Sequence, residues 1–197
     1  MRQLDFNIFD FDIPVVKPAK GKILIAEPFL KGPYFGRSIV LLTEFGKEGA
    51  VGFVLNKASN VYPDEVIDDI LSFKGELFIG GPVSSDTLHF IHTLGDILPG
   101  SVKVTENIYW GGDFEKLKDL INSDVVTYKQ VKFFAGYSGW SPGQLEGEIK
   151  DKSWIVTEID DMAIMSENID DIWENTLNSL GGMFKTWSKF PNDPNQN

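Results

Sequence analysis

Short apolar runs separated by glycine, proline and charged residues dominate the first part of the chain. Such runs occur over residues 23–26, 38–42 and 50–55. Apolar runs of four to eight residues between turn-forming residues are typical of buried strands. The segment Gly46–Gly49 separates the second run from the third, and its composition predicts a β-hairpin.

The middle of the chain carries helical patterns between strand patterns. Proline is tolerated at the first helical position and carboxylates favour the positive end of the helix dipole, so Pro63 and the acidic residues after it predict a helix over 63–71. Asp113 is a favourable N-cap, and the apolar spacing after it predicts a second helix over 114–121. Further strands are predicted over residues 76–79 and 88–93.

The clearest local signals lie in the third quarter of the chain. Val131–Tyr137 has the apolar character of a buried strand, and Ser138–Trp140 is expected to turn this strand into a helix. Ser141, Pro142 and Gln144 have the spacing of a capping box with proline at the first helical position. This spacing predicts a helix that begins at the serine cap.

The last part of the chain adds a strand over 154–157 and a helix over 169–180 that ends at glycine. The mixture of elements indicates the α+β class, with no internal repeat. We expect an arm over residues 1–20 with an edge strand within 6–12, a single domain over 21–187, and a flexible tail over 188–197.

Composition excludes several classes of function. The hydrophobic fraction of 42% and the charged fraction of 24% are those of a globular protein. The chain has no cysteine, which excludes disulfides, thiolate nucleophiles and cysteine metal sites, and its two histidines cannot form a three-histidine metal centre. The net charge of −11 disfavours direct binding to nucleic acid.

The chain shows neither a secretory signal nor an apolar run long enough to cross a bilayer. A cytoplasmic protein without membrane contact is therefore the expectation.

Ser138 is the first candidate for chemistry, because a serine at a strand-to-helix turn resembles a nucleophile elbow. Trp140 stands where that motif has its second glycine, and both histidines precede the serine. The glycines of the same turn would also let an anion approach a helix N-terminus, although the lysine of a phosphate-binding loop is absent. No catalytic residue is assigned.

Histidine and acidic pairs are the next candidates. His89 and His92 lie three apart in a strand pattern, which directs them to opposite faces and predicts two independent structural histidines. The pairs at 160–161 and 170–171 are expected to cap helices or face solvent. No metal and no cofactor are predicted.

Tryptophans could form the wall of a binding pocket. Trp154 and Trp173 have strand and helix patterns around them that predict core positions, whereas Trp110 and Trp140 lie beside glycine turns and are candidates for a pocket wall.

Several motifs together resemble the YqgE/AlgH family. They are Ala26-Glu27-Pro28, Phe35-Gly36-Arg37-Ser38, Gly49-Ala50-Val51-Gly52, Asn56-Lys57, Gly80-Gly81-Pro82-Val83, His92, Gly136-Tyr137-Ser138-Gly139-Trp140-Ser141-Pro142-Gly143-Gln144-Leu145-Glu146-Gly147-Glu148 and Trp154. The resemblance implies a single α+β domain whose mixed, bifurcated sheet folds into a pseudo-barrel with helices packed outside. It implies no defined reaction, although members are sometimes labelled transcriptional regulators.

The sequence thus predicts a non-catalytic binding or regulatory module that acts through a protein or small-molecule partner. A direct DNA-binding regulator and a hydrolase using the turn over 136–148 are the alternatives. The candidate ligand-binding residues are Asn56, Gly80, Gly81, Pro82, His92, Gly136, Ser138, Gly139, Trp140, Gln144, Glu146 and Glu148.

Overall fold

A computed structural model describes residues 16–190, which contain nine strands and six short helices. The strands are β1 (Ile23–Ala26), β2 (Ile39–Gly46), β3 (Gly49–Val54), β4 (Leu77–Ile79), β5 (Val83–His92), β6 (Val102–Lys103), β7 (Tyr109–Trp110), β8 (Val131–Trp140) and β9 (Trp154–Thr157). The helices are α1 (Pro63–Val66), α2 (Phe114–Asn122), α3 (Gln144–Lys150), α4 (Asp161–Ile164), α5 (Ile172–Leu180) and α6 (Phe184–Trp187). The predicted edge strand within 6–12 and the tail from 191 onward lie outside the described residues.

The strands form one mixed sheet that branches at β8. Its main path has the order β6-β7-β5-β8-β3-β2-β1-β9, with antiparallel neighbours throughout, and β4 pairs with β8 in parallel. The first part of β8 lies between β5 and β4, whereas its last three residues pair with β3, so that Ser138 lies opposite Gly52. The predicted α+β class with a mixed, bifurcated sheet is confirmed.

The predicted hairpin of β2 and β3 is also confirmed. The two strands pair from Val40–Val54 to Gly46–Gly49, with a bulge between Leu42 and Glu44. The open end of the hairpin, opposite its turn, lies between the residues before β2 and those after β3. This end positions the candidate site described below.

Alternate residues of the central strands enter different cores. Ile23 and Ile25 of β1 belong to the core that contains α5 and α6, whereas Leu24 and Ala26 belong to the core that contains α3. Side chains alternate between the two faces of a strand, so both faces of β1 are covered. A strand covered on both faces has a continuous apolar sequence, as this one does.

Several predicted boundaries are wrong. The helix predicted over 63–71 ends at Val66, because Ile67 has an extended backbone. The strand predicted to end at residue 137 continues to Trp140, and α3 begins at Gln144 after Gly143, whose φ of 76° is not helical. The last predicted helix begins at Ile172.

None of the helices within residues 16–190 has both the length and the apolar character that a bilayer crossing requires.

Candidate functional site

Most of the predicted site residues lie in a densely packed corner where β8 crosses the segment after β4. Ser138 is fully buried inside β8, and its hydroxyl donates to the carbonyl of Gly80 at 3.0 Å. A Cβ atom at Gly81 would lie 2.4 Å from the backbone of Tyr137, and one at Gly136 would lie 2.7 Å from a carbonyl oxygen. The strand-to-helix turn predicted at Ser138 is wrong, and the hydroxyl has no route to a substrate from solvent.

Glu148 closes the same corner on the α3 side. Its Oε2 accepts hydrogen bonds from the indole nitrogens of Trp140 and Trp154, each at 2.8 Å, and its Oε1 accepts from Gln144 Nε2 at 2.9 Å. Gln144 Oε1 also accepts from the backbone nitrogen of Ser141 at 3.0 Å. These side chains are engaged with each other, which assigns them to packing. We call this group of residues the glycine–tryptophan corner; its members are Gly80, Gly81, Gly136, Ser138, Trp140, Gln144, Glu148 and Trp154.

The other predicted site residues near the corner lie at its surface. Gly139 and Trp140 border a shallow cavity of about 430 Å³ beside Glu44 and Glu48. Pro82 is exposed next to the corner, and Glu146 is exposed on α3.

His92 lies apart from this corner, in the core near β7. Its Nε2 is 2.9 Å from the carbonyl of Gly111 and 3.0 Å from the hydroxyl of Ser101, and its Nδ1 accepts from the backbone of Leu94 at 3.1 Å. Burial lowers the pKa of His92, and the hydrogen bond to Gly111 opposes that effect. The ring of His89 packs instead against Phe53 and Tyr137. The prediction of two independent structural histidines is confirmed.

The predictions for the four tryptophans have different outcomes. Trp154 and Trp173 are buried, as predicted, at 2% and 3% exposure. Trp110 packs against Phe53 and is half-buried, whereas Trp140 is buried at 6% exposure and still borders the shallow cavity.

Asn56 is the one predicted site residue at the open end of the β2–β3 hairpin. Its Oδ1 accepts from the backbone nitrogen of Ile39 at 2.9 Å, and its Nδ2 donates to the carbonyl of Arg37 at 2.9 Å. Arg37 has a φ of 53°, in the left-handed region that costs a non-glycine residue on the order of 1 kcal/mol. Asn56 therefore holds Arg37 in an unfavourable backbone conformation.

Arg37 and Lys57 form one wall of a polar cavity of about 430 Å³, which we call the Arg37–Lys57 cavity. The guanidinium carbon lies 4.8 Å from the ring centroid of Trp173, and Nη2 donates to the carbonyl of Phe190. Lys57 Nζ donates to the carbonyl of Gly36 at 2.8 Å. Within residues 16–190, the lining is Pro28, Leu30, Gly36, Arg37, Asn56, Lys57, Ile169, Asp170, Trp173 and Glu174.

The two cations lie close together without a neutralising contact. Burial is the main cause that lowers the pKa of Lys57, and the charge of Arg37 lowers it further. Within residues 16–190, neither cation forms an ion pair with a carboxylate. Among the residues that the structure describes, the buried Nε of Arg37 has no hydrogen-bond acceptor. Buried charge normally has a partner, so this wall favours an added anion.

Asp170 and Glu174 line the same cavity from a different element, the start of α5; we call these two carboxylates its acidic wall. Glu174 is in the first turn of α5, Asp170 is just before this helix, and both are exposed. Asp170 belongs to the acidic pair at 170–171, which was predicted to cap a helix or face solvent, and it also borders this cavity.

Arg37, Lys57 and Glu174 were not among the predicted site residues, although Arg37 and Lys57 lie in motifs that carry the family resemblance. A second signal for the two cations was also present. Arg37 comes shortly before β2 and Lys57 shortly after β3. In an antiparallel hairpin these positions lie at the same end, so the predicted hairpin already implied that two cations meet there.

A second cavity of about 610 Å³ lies beside α4 and is lined in part by Ser166, whose carbonyl accepts a hydrogen bond from Lys132. Its walls include Met162, Met165 and Glu167. Lys132 Nζ donates to the carbonyls of Ile164 at 3.1 Å and Ser166 at 2.8 Å. Burial lowers the pKa of Lys132 to about 8, with an opposing effect of Glu167. Through these two hydrogen bonds, the amine of Lys132 fixes the end of α4 and the segment that follows it.

Within the described part of the chain, histidine and acidic side chains do not gather into groups of three that could hold a metal ion.

The fold and the site define an α+β protein with a branched, mixed sheet and a charged cavity at one hairpin end. The AlgH-like (DUF179) family model matches residues 23–185, and the chain belongs to this family. It is similar to a UPF0301 protein of Parabacteroides distasonis, with 44% identity over 95% of this chain and 96% of the relative. A UPF0301 protein of Bacteroides thetaiotaomicron is 37% identical over 98% and 99% of the two chains.

Two solved structures share the fold. The crystal structure of protein DIP2367 from Corynebacterium diphtheriae matches with a TM-score of 0.72 and 24% identity, over 89% of this chain and 94% of the other. The solution structure of the AlgH protein from Pseudomonas aeruginosa matches with a TM-score of 0.68 and 22% identity, over 87% and 94%. The family resemblance predicted from the motifs is confirmed.

Proposed function

We propose that this AlgH-like protein is a non-catalytic binding module that holds a small molecule with a carboxylate or phosphate group in the Arg37–Lys57 cavity. One observation carries the proposal: two cations are kept side by side in a partly buried cavity without a carboxylate partner among residues 16–190. Like charges held together cost free energy, and an anion between them removes that cost.

The cavity is preorganised for such a ligand. Asn56 fixes the backbone of Arg37, and the ring of Trp173 supports its guanidinium. A fixed guanidinium matches the planar geometry of a carboxylate or phosphate, and it loses less freedom on binding than a mobile one. The cavity volume of about 430 Å³ lies within the range common for small-molecule sites.

The lining favours binding over catalysis. The hydroxyl-bearing residue predicted as a possible nucleophile, Ser138, is buried elsewhere in the fold. The described lining of the cavity contains cations, carboxylates and apolar side chains but no serine, threonine or histidine. A regulatory effect would then follow from the presence of the ligand, through a partner that responds to the liganded form.

Isothermal titration calorimetry with phosphate, butyrate, valerate and their amino-substituted analogues tests the proposal. At least one probe is expected to bind the full chain, and Arg37→Met and Lys57→Met are each expected to weaken that binding at least about tenfold, because each removes a charge-assisted contact. Lys103→Met, which changes an exposed lysine elsewhere, is the matched control.

The proposal is wrong if none of these probes binds, or if Lys103→Met weakens binding as much as the two cavity variants do. Circular dichroism on each variant verifies that the fold is intact.

A further inference from the structure

We infer that the ligand of the Arg37–Lys57 cavity is a zwitterion of the amino-acid type, with an ammonium group as well as the anionic group. This inference rests on the proposed function, which places the anionic group against Arg37 and Lys57. It comes from a separate observation: the lining of the same cavity also includes two carboxylates from the start of α5, Asp170 and Glu174.

The two charged walls do not neutralise each other. Within residues 16–190, Asp170 and Glu174 form no ion pair, as is also true of Arg37 and Lys57. Each cation instead donates to a backbone carbonyl, Lys57 to that of Gly36 and Arg37 to that of Phe190. The cavity therefore suits a molecule that carries both an ammonium group and an anionic group.

Charge arithmetic favours a zwitterion over a simple anion. The two cations and two carboxylates of the lining sum to zero, and the whole chain carries a net charge of −11. A simple anion would be repelled by the protein as a whole and by the acidic wall. A zwitterion has no net charge to be repelled, and in one orientation each of its ends meets the opposite charge.

The rest of the lining fits the carbon chain of such a molecule. Pro28, Leu30 and Ile169 line the same cavity and provide apolar contacts between the charged walls. Methylene groups placed against them are removed from water, which strengthens binding. The class expected is thus a small amino acid with its ammonium at the α position or at the end of a short chain.

Matched pairs of ligands test the inference by calorimetry on the full chain. The zwitterions are norvaline, γ-aminobutyrate, δ-aminovalerate and ε-aminocaproate, and the simple acids are butyrate, valerate and caproate. At least one zwitterion is expected to bind about tenfold more tightly than the acid of the same chain length. In Asp170→Asn/Glu174→Gln, which keeps the size of both exposed side chains, this preference is expected to disappear.

The outcomes separate the inference from the proposed function. If the acids bind as tightly as the zwitterions and Lys57→Met weakens both, the zwitterion inference is wrong and the anion site stands. If the preference for a zwitterion survives in the double variant, the inference is also wrong, because the acidic wall does not cause it. If phosphate binds but no acid and no zwitterion does, the zwitterion inference is wrong and the anion site stands. If phosphate, acids and zwitterions all fail to bind, both the inference and the proposed function are overturned.

Discussion

The glycine–tryptophan corner and the Arg37–Lys57 cavity differ in how their polar groups are satisfied. In the corner, Glu148 accepts three hydrogen bonds from side chains, and the hydroxyl of Ser138 donates to a backbone carbonyl. In the cavity, two cations and two carboxylates share one lining without an ion pair among residues 16–190, and within these residues one buried guanidinium nitrogen has no acceptor. A conspicuous sequence motif can therefore reflect tight packing. A binding site is recognised instead in the structure, by charged and polar groups that lack a partner.

The comparison predicts opposite behaviour of variants in the two regions. Substitutions in the corner should lower the free energy of unfolding and leave ligand binding intact, provided that the chain folds. Substitutions in the cavity should weaken ligand binding and leave the free energy of unfolding almost unchanged.

Gly81→Ala is expected to have the largest effect on stability, a loss of at least about 3 kcal/mol. The new Cβ atom would lie 2.4 Å from the backbone of Tyr137, which has no flexible side-chain end to move aside. Urea denaturation measures the change. Gly147→Ala is the control: a Cβ there meets nothing within 4 Å, so alanine in α3 should be neutral or stabilising by up to about 1 kcal/mol. Equal stability of the two variants would contradict the packing role of the corner.

Lys132 sharpens the comparison, because it is a buried cation whose amine is satisfied inside the fold. Its pKa of about 8 lies below its usual 10.5, so between these pH values the unfolded chain holds more protons than the folded chain. The contribution of Lys132 should make stability rise with pH across that window, by about 3 kcal/mol in total. Below pH 8 this contribution should be level.

The pH dependence of urea denaturation measures this contribution when wild type is compared with Lys132→Met. The rise should be absent from Lys132→Met and retained in Lys103→Met, which changes an exposed lysine. A rise of the same size in Lys132→Met would show that other groups cause it.

Glu148→Gln is expected to cost about 1–2 kcal/mol. The amide keeps one acceptor for the two indole nitrogens, but the charge that strengthens these bonds is lost and its NH₂ group faces the NH₂ group of Gln144. Thermal or urea unfolding provides the measurement. Glu146→Gln, on the exposed side of the same helix, is expected to leave stability unchanged. A similar loss in both variants would contradict the special role of the half-buried Glu148 carboxylate.

Lys57→Met is expected to have the smallest effect on stability, less than about 1 kcal/mol. The pKa of Lys57 is lowered, so its charge is unfavourable in the folded chain, and solvent screens part of that cost because the side chain is only half-buried. The loss of its hydrogen bond to Gly36 offsets the relief. Urea denaturation that shows a loss above 2 kcal/mol would indicate a structural role for this lysine.

Local patterns in the sequence predicted the parts of the fold that local interactions specify. The hairpin of β2 and β3 and the apolar face of α5 follow from periodicity and turn chemistry. The extension of β8 through Trp140 was missed because glycine and serine have low strand preference, and pairing with β3, far away in sequence, holds them there.

The candidate site was predicted less well than the fold. Asn56 was identified, but its partners Arg37 and Lys57 belong to the site only because the hairpin brings its ends together and α5 covers them. No single segment carries that information. The glycine motifs, in contrast, are conspicuous within one segment, and the structure uses them for close approach of backbones.

Two-dimensional ¹H–¹⁵N NMR during titration with valerate and δ-aminovalerate tests the central claim most directly, because it reports both regions in one experiment. We expect the largest shifts at the backbone amides of Gly36, Arg37 and Lys57 and at the indole of Trp173. Shifts concentrated at Gly139–Gln144, or no saturable shift anywhere, would contradict the account.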